Sequence, residues 1–493
     1  MARLSLSLIY LIFTLSSIFT YGQVPGPTDI TLWYDAPARL WEETVPLGNG
    51  RLGMMPDGGV HEEKIVLNEI SMWSGSETDY SNPEAAKSLP EIQRLLMEGR
   101  NKEAQDMMYE HFVPKKQETG GTYGTYQVLA DLDIAYTYNN EGEPTDYCRW
   151  LNLQTASACT RFNLGDATYT REYYVPRGKD VIVMHIYGDR PFGFSLSANR
   201  AERISRRCPE NGTLVISGTL DSGKEASDTV SCKGVSYEAA IRVIPSGEGV
   251  EMVTRSNHVA VRKATEAWIV VAAITDFWPR LGINNLPSPI ETVESQSPET
   301  LKTSITEGIE AHKTLMDRAH IKLPATDQSH LPTDQRIRAF QHGEDPELAA
   351  LYYNYGRYLL ISSTLPGFLP PNLQGLWANG CSTPWNGDYH TNINVQMNHW
   401  PVEQGNLSEL HLPLIALTEQ AVESGKRTAK AFYGDNAEGW VMHMMTNVWE
   451  YTEPGEHPSW GATNTGGAWL CQHLWEHYLY NPADTAYLAE ICL

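Results

Sequence analysis

Positive charge is what this sequence has least of. Lys and Arg number 37 against 60 Asp and Glu, for a formal charge of -23 at pH 7. A nucleic-acid partner, which calls for a clustered basic face, is excluded on that ground. So is a basic helix lying on a membrane surface. Cysteine is sparse and unpatterned. Cys148, Cys159, Cys208, Cys232, Cys381, Cys471 and Cys492 are odd in number, with no C-x-x-C pair, which argues against a zinc ribbon. In an oxidising compartment the pairings open are Cys148 with Cys159 and Cys208 with Cys232. The chain has no glycine-rich phosphate loop and no H-E-x-x-H. No cofactor or metal is expected.

A long apolar run is also missing. Leu4 to Phe19 is too short and too rich in serine for a membrane span. Arg3 precedes it and Tyr21-Gly22-Gln23 follows, so residues 1–22 read as a secretory signal. No cysteine near the cut offers a lipid anchor. The expectation is an exported protein, periplasmic or extracellular, with no membrane insertion after signal removal.

At 493 residues the chain has room for two or three domains. Residues 23–290 read mainly as strands. Thr31 to Tyr34, Lys64 to Glu69, Asp131 to Tyr136, Tyr169 to Val175, Val181 to Ile186 and Ala267 to Ala273 are rich in β-branched and aromatic residues. Gly48-Asn49-Gly50 is a turn signal. A helical interruption carries Leu89, Ile92, Leu95, Leu96, Ala104, Met107 and Met108 at helical spacing. The many strands and turns predict a large antiparallel β-sandwich.

Residues 291–344 read as a helical linker, with Ser297-Pro298-Glu299 as a capped helix start. From residue 345 to 493 the pattern is helical. Asp345-Pro346-Glu347 opens one helix, Asn406 with Glu409 resembles a capping box, and further helices are expected over 467–479 and from Pro482. Short helices joined by functional loops predict a toroid of paired helices. The loop from Ser362 to Asp388 is long enough to carry function. Trp 14 and Tyr 25 divide evenly between sugar platforms and core.

Tyr389 to Trp400 is the densest polar stretch. His390, Asn392 and Asn394 are spaced by two, which in an extended segment places them on one face, ahead of a helix starting near Gln396. Asparagine brings a carbonyl acceptor and an NH2 donor without charge. Side by side, two such groups suit holding a hydroxyl or a water. As an isolated Asn-x-Asn, the same pattern more often caps nearby backbone.

Several blocks taken together resemble glycoside hydrolase family 95. Leu32-Trp33-Tyr34, Pro46 to Gly53, Leu67-Asn68-Glu69 and Met72-Trp73-Ser74-Gly75 resemble its amino-terminal β domain. Gly356 to Ile361 and Pro371 to Trp377 look like the start of its catalytic domain. His390 to Asn394, Pro458 to Gly461 and Gly466 to Leu470 look like its active-site segments and next helix. Tyr126 to Asp131 departs from the pattern in lacking a proline and a glycine. The resemblance implies an (α/α)6 catalytic toroid. It implies an inverting α-L-fucosidase, mostly for α-1,2-linked fucose, acting on a fucosylated oligosaccharide or glycan.

The resemblance also assigns residues. Asn392 and Asn394 match the two carbonyls that hold the attacking water. His390 matches a position near the sugar C5 substituent, and Glu456 one that binds sugar hydroxyls. The family's general acid and supporting Asp fall beyond Leu493. The toroid is therefore expected to be incomplete and the chain inactive by itself. Asp388, Glu403, Glu419, Asp435, Glu450 and Glu453 are read as solvated or capping acids. An α-L-galactosidase of the same family and a non-catalytic carbohydrate-binding fragment are the alternatives. A phosphorylase is disfavoured, because no basic cluster suggests a phosphate site.

Overall fold

The computed structural model describes residues 29–115, 123–140, 142–223, 234–255, 257–455 and 457–491. The signal over 1–22, Glu456 and the Cys208–Cys232 pairing fall wholly or partly outside them. Among the described residues no helix is long and apolar enough to cross a membrane.

The amino-terminal region is a large antiparallel sheet of fourteen strands, and helices follow it. Two long strands, Ile182–Asn199 and His258–Thr275, form its spine. They pair with each other along most of their length, with register shifts between Val261 and Glu266. Lys263 takes a positive φ of 57° there. A bulge of this kind bends a strand and increases its twist. The sheet divides at that bend. Val183 to Gly188 pairs with Ala167–Tyr174, which leads outward to Thr31–Tyr34. Phe192 to Asn199 pairs instead with Ala130–Tyr138, which leads to Glu62–Glu69 and Leu52–Pro56. A sheet divided in this way is compatible with the expected sandwich.

Alternation along the strands feeds two cores. Val183, Val270 and Trp268 point to one side, where they meet Val293, Leu301 and Ile305. Those three sit on the helices Pro289–Glu294 and Pro298–Met316, so helices in the expected linker form an outer layer on the sheet. Ser297 caps the longer one, accepting from Thr300 N. Ile182, Met184 and Ile269 face the main core on the opposite side. Fully burying each large aliphatic side chain contributes about 1.5–3 kcal/mol.

The helical interruption, Pro83–Met97 and Asn101–His111, packs toward the later helices rather than the sheet. Ile92, Leu95 and Phe112 share a cluster with Phe432, and the Phe112 and Phe432 rings meet at 5.2 Å.

Sheet and helical regions are joined by the amino-terminal sequence blocks. Trp377 Nε1 donates to Leu47 O at 2.9 Å, Asn68 Nδ2 to Ala378 O at 2.9 Å, and Tyr358 Oη to Pro46 O at 2.7 Å. Arg51, buried, donates to Asp180 at 2.7 Å and to Ala273 O at 2.9 Å. Gly50 takes φ +92°, and a Cβ there would stand 2.4 Å from the Leu365 backbone nitrogen. Backbone meets backbone at this point, so a side chain has no room.

Two expectations are corrected. Asn406 and Glu409 form no capping box: Asn406 has φ 56°, and Glu409 pairs with Arg318 at 2.8 Å. Backbone geometry and a cation from another element override the local signal. Cys148 and Cys159 are both free thiols, buried on neighbouring strands. Burial pushes the Cys148 thiol up to about 12.

Candidate active site

The stretch after the long loop is pinned from its buried side. Tyr389–His390 is a two-residue strand paired with Met445–Thr446. Tyr389 stacks on Trp73 of the sheet region, ring centroids 6.0 Å apart, and its hydroxyl donates to Pro370 O at 3.0 Å. Thr391 is fully buried. Its N–H donates to Met444 O at 2.8 Å and its hydroxyl to His443 O at 2.5 Å. Gln396 Nε2 returns to Thr391 O at 2.6 Å. His443 is itself fixed, with Tyr433 Oη at 2.9 Å from Nε2 and Nδ1 at 2.7 Å from Thr452 O. Burial pushes its pKa down to about 4, against the hydrogen bond to Thr452.

On this base stand His390, Asn392 and Asn394. His390 is half-buried, and Asn392 and Asn394 are exposed. The extended geometry expected for them stops at His390. Residues 391–393 form a turn, and the helix Asn394–His399 begins two residues earlier than expected. Asn394 thus stands at a helix start rather than on a strand face. Thr391 is still held to the neighbouring segment, its amide on Met444 O and its hydroxyl on His443 O, and the chain turns directly after it. Neither carboxamide is bonded to another described residue, so neither serves as a backbone cap.

His390 Nε2 lies 2.9 Å from Asp388 Oδ1. Asp388 is therefore a buried partner of the candidate site and not a solvated acid. Glu453 is buried too; burial raises its pKa, opposed by backbone hydrogen bonds from Thr452 and from Glu453 itself. Glu419 and Asp435 are exposed, as expected. The tryptophans divide. Trp73, Trp268, Trp278 and Trp377 are core, whereas Trp385, Trp400 and Trp460 face outward. Trp385 is 74% exposed, held out by left-handed backbone at Trp385 and Asn386. The Trp-Asn-Gly turn was the available signal for it.

Glu403 is a second departure. Its carboxylate lies 2.7 Å from His411 Nδ1 and 2.7 Å from His477 Nδ1, and it also accepts from the Ser408 hydroxyl. Burial pushes its pKa up, but the bonds from His411, His477 and Ser408 outweigh that and hold it at about 2. Glu403, His411 and His477 are the described residues whose arrangement could hold a metal ion. His473 and His477, four apart on one helix, were the overlooked sequence signal.

Known proteins share this architecture. The glycosyl hydrolase family 65, N-terminal domain matches residues 32–280, and the glycosyl hydrolase family 95 catalytic domain matches residues 300–492. Sheet region, helical region and these matches place the chain in the class of glycoside hydrolases. "Alpha-L-fucosidase 2" of Arabidopsis thaliana is 30% identical, over 92% of this chain and 56% of that protein. "Probable alpha-fucosidase A" of Aspergillus niger is 30% identical, over 93% of this chain and 59% of that protein. A solved structure described as a kojibiose phosphorylase from human microbiome shares the fold, with TM-score 0.52 at 11% identity, over 92% of this chain and 56% of that one. The chain belongs to glycoside hydrolase family 95. It spans a little over half the length of these relatives.

Proposed function

We propose that this chain provides the sheet region and the water-holding side of an exported, inverting α-L-fucosidase. The substrate is a glycan with a terminal, α-1,2-linked L-fucose, and the reaction uses no cofactor. The helical region is read as part of an (α/α)6 toroid, in keeping with the packing of the helix Leu412–Gln420 against Val422–Tyr433 and Gly466–Tyr480.

The observation that carries the reading is the pair of exposed, unengaged carboxamides on a rigid, buried base. Inversion requires a water on the face opposite the leaving group, with acid and base carboxyls roughly 6.5–9.5 Å apart. Amide oxygens accept hydrogen bonds and do not themselves abstract protons at neutral pH. Asn392 and Asn394 orient the water, and a carboxylate elsewhere in the catalytic domain supplies basicity. His390 faces the C5 substituent of the sugar. Held against Asp388, it leaves space for a methyl group and crowds a hydroxymethyl. Glu456 accepts from sugar hydroxyls. The fucosidase names of the relatives support the choice of sugar.

The test uses the enzyme carrying this chain with 2′-fucosyllactose. Proton NMR of the first-formed sugar is expected to show β-L-fucose. First-formed α-L-fucose rejects inversion. Nitrophenyl α-L-fucoside is expected to be preferred over the α-L-galactoside; the reverse favours the α-L-galactosidase reading. Binding of L-fucose without release of product would instead indicate a carbohydrate-binding protein.

A further inference from the structure

The Glu403 cluster lies apart from the water-holding pair and asks for its own explanation. Its members come from different elements. Glu403 sits on the helix Pro401–Gln404, His411 directly precedes Leu412–Gln420, and His477 is on Gly466–Tyr480. Glu403 Oε1 lies 2.7 Å from both His411 Nδ1 and His477 Nδ1, and one ligand atom of each of the three residues lies within 4.8 Å of the others. Zinc bound tetrahedrally at about 2.0–2.2 Å holds its ligand atoms roughly 3.3 Å apart. The three atoms therefore need only small shifts to surround one ion.

We propose that Glu403, His411 and His477 bind a divalent ion of the zinc class, which ties the three helical elements together. Two imidazoles and one carboxylate form a donor set suited to such ions. The surroundings fit as well. A metal-binding imidazole normally donates its other N–H to a nearby acceptor, which fixes the ring. His411 Nε2 lies 2.9 Å from His473 Nδ1, so His411 can turn Nδ1 to the ion while donating from Nε2. Ser408 donates to the second oxygen of Glu403 and leaves the first for the ion. Its hydroxyl also stands 3.4 Å from His477 Nδ1, at the edge of the fourth position.

His399 supplies an independent observation. It is 1% exposed, and its Nε2 has no partner among the described residues. Its Nδ1 is 2.7 Å from Val395 O and must donate there, which leaves a lone pair on Nε2. The ring stands 6.1 Å from that of His411 and 6.5 Å from that of His473. A buried polar atom without a partner is unfavourable. A water carried by the ion is the kind of donor that would satisfy it. His399 also ends the helix that Asn394 begins. The ion would anchor the far end of the segment that carries the water-holding pair, without touching the reaction.

The experiment uses the full chain without a histidine tag. After chelator treatment the protein is titrated with zinc alone and with cobalt alone. One equivalent of tightly bound zinc is expected, with the visible d–d bands of a tetrahedral cobalt site. His477 is the least buried ligand, so His477→Ala is expected to keep its circular dichroism and lose at least 100-fold in zinc affinity. Ser408→Ala, which removes only an outer hydrogen bond, is expected to lose about 10–100-fold, and it decides the matter if His477→Ala unfolds. Zinc affinity unchanged in the folded variants overturns the proposal and places any ion among the chain's other histidines. No saturable zinc binding and no cobalt bands also overturn it, and leave a hydrogen-bonded Glu–His cluster.

Discussion

Asp388 and His390 face each other across one residue, with Asp388 Oδ1 at 2.9 Å from His390 Nε2. The carboxyl is 3% exposed and the imidazole 13%. The buried carboxyl limits which way the imidazole ring can face. Removing the carboxylate leaves the ring free to turn. Asp388→Ala is expected to raise KM for fucosides about tenfold, or about 1.4 kcal/mol of binding. kcat is expected to change less. Asp388→Asn keeps an acceptor and is expected to recover part of the loss. A fall in kcat with KM unchanged would show that Asp388 acts in the chemical step instead.

Asn392 and Asn394 stand exposed and bonded to no other described residue, so neither contributes to the fold. Replacing either by Ala is expected to lower kcat by about 10²–10³-fold, the usual loss for one preorganised polar group, with little change in KM. Thermal midpoints are expected to stay close to that of the parent protein. Steady-state kinetics with calorimetry separates the two effects. Near-normal kcat in both variants rejects the assignment.

Gly50→Ala is expected to destabilise the joint between sheet and helices. The new Cβ would meet the Thr364 and Leu365 backbone at 2.4 Å, at a φ that side chains rarely adopt. Left-handed strain alone costs about 1–3 kcal/mol, and overpacking adds about 1–3 kcal/mol. A lowered denaturant midpoint is the readout. An unchanged midpoint would mean that the joint yields.

His312 makes stability depend on pH. It is fully buried between the helix Pro298–Met316 and the sheet region, with Nε2 donating to Leu153 O at 2.8 Å. Burial pushes its pKa down from 6.5 to about 4, opposed by that hydrogen bond and aided by the nearby charge of Arg177. Between those values the unfolded chain binds a proton that the folded chain does not. The stabilisation is whole above pH 6.5 and is lost as pH falls toward 4, by up to about 3 kcal/mol. His312→Gln is expected to flatten that part of the curve of thermal midpoint against pH. An identical slope in the variant would assign the acid sensitivity to other groups.

Much of the fold was legible in the chain. The strands at Thr31, Lys64, Tyr169 and Ala267 and the helices opened by Ser297 and Asp345 formed where period, propensity and caps predicted them. Those signals act within a few residues, so they survive in any tertiary setting. The Asn406–Glu409 pattern failed because Arg318, remote in sequence, offered the carboxylate a better partner.

The sequence by itself determined the residue types of the candidate site and their order: an imidazole and two carboxamides spaced by two. It also held the blocks that mark the family. Tertiary structure alone decided what stands behind them. Thr391 is held by His443, Tyr389 lies on Trp73, and Asp388 became the buried partner of His390. Glu403, which reads as a surface acid, collects His411 from just along the chain and His477 from a helix far beyond it. Helical and strand periodicities say which way a side chain leaves its own element. They carry no information about which element comes to meet it, and that meeting is what fixes burial, charge partners and the shape of a site.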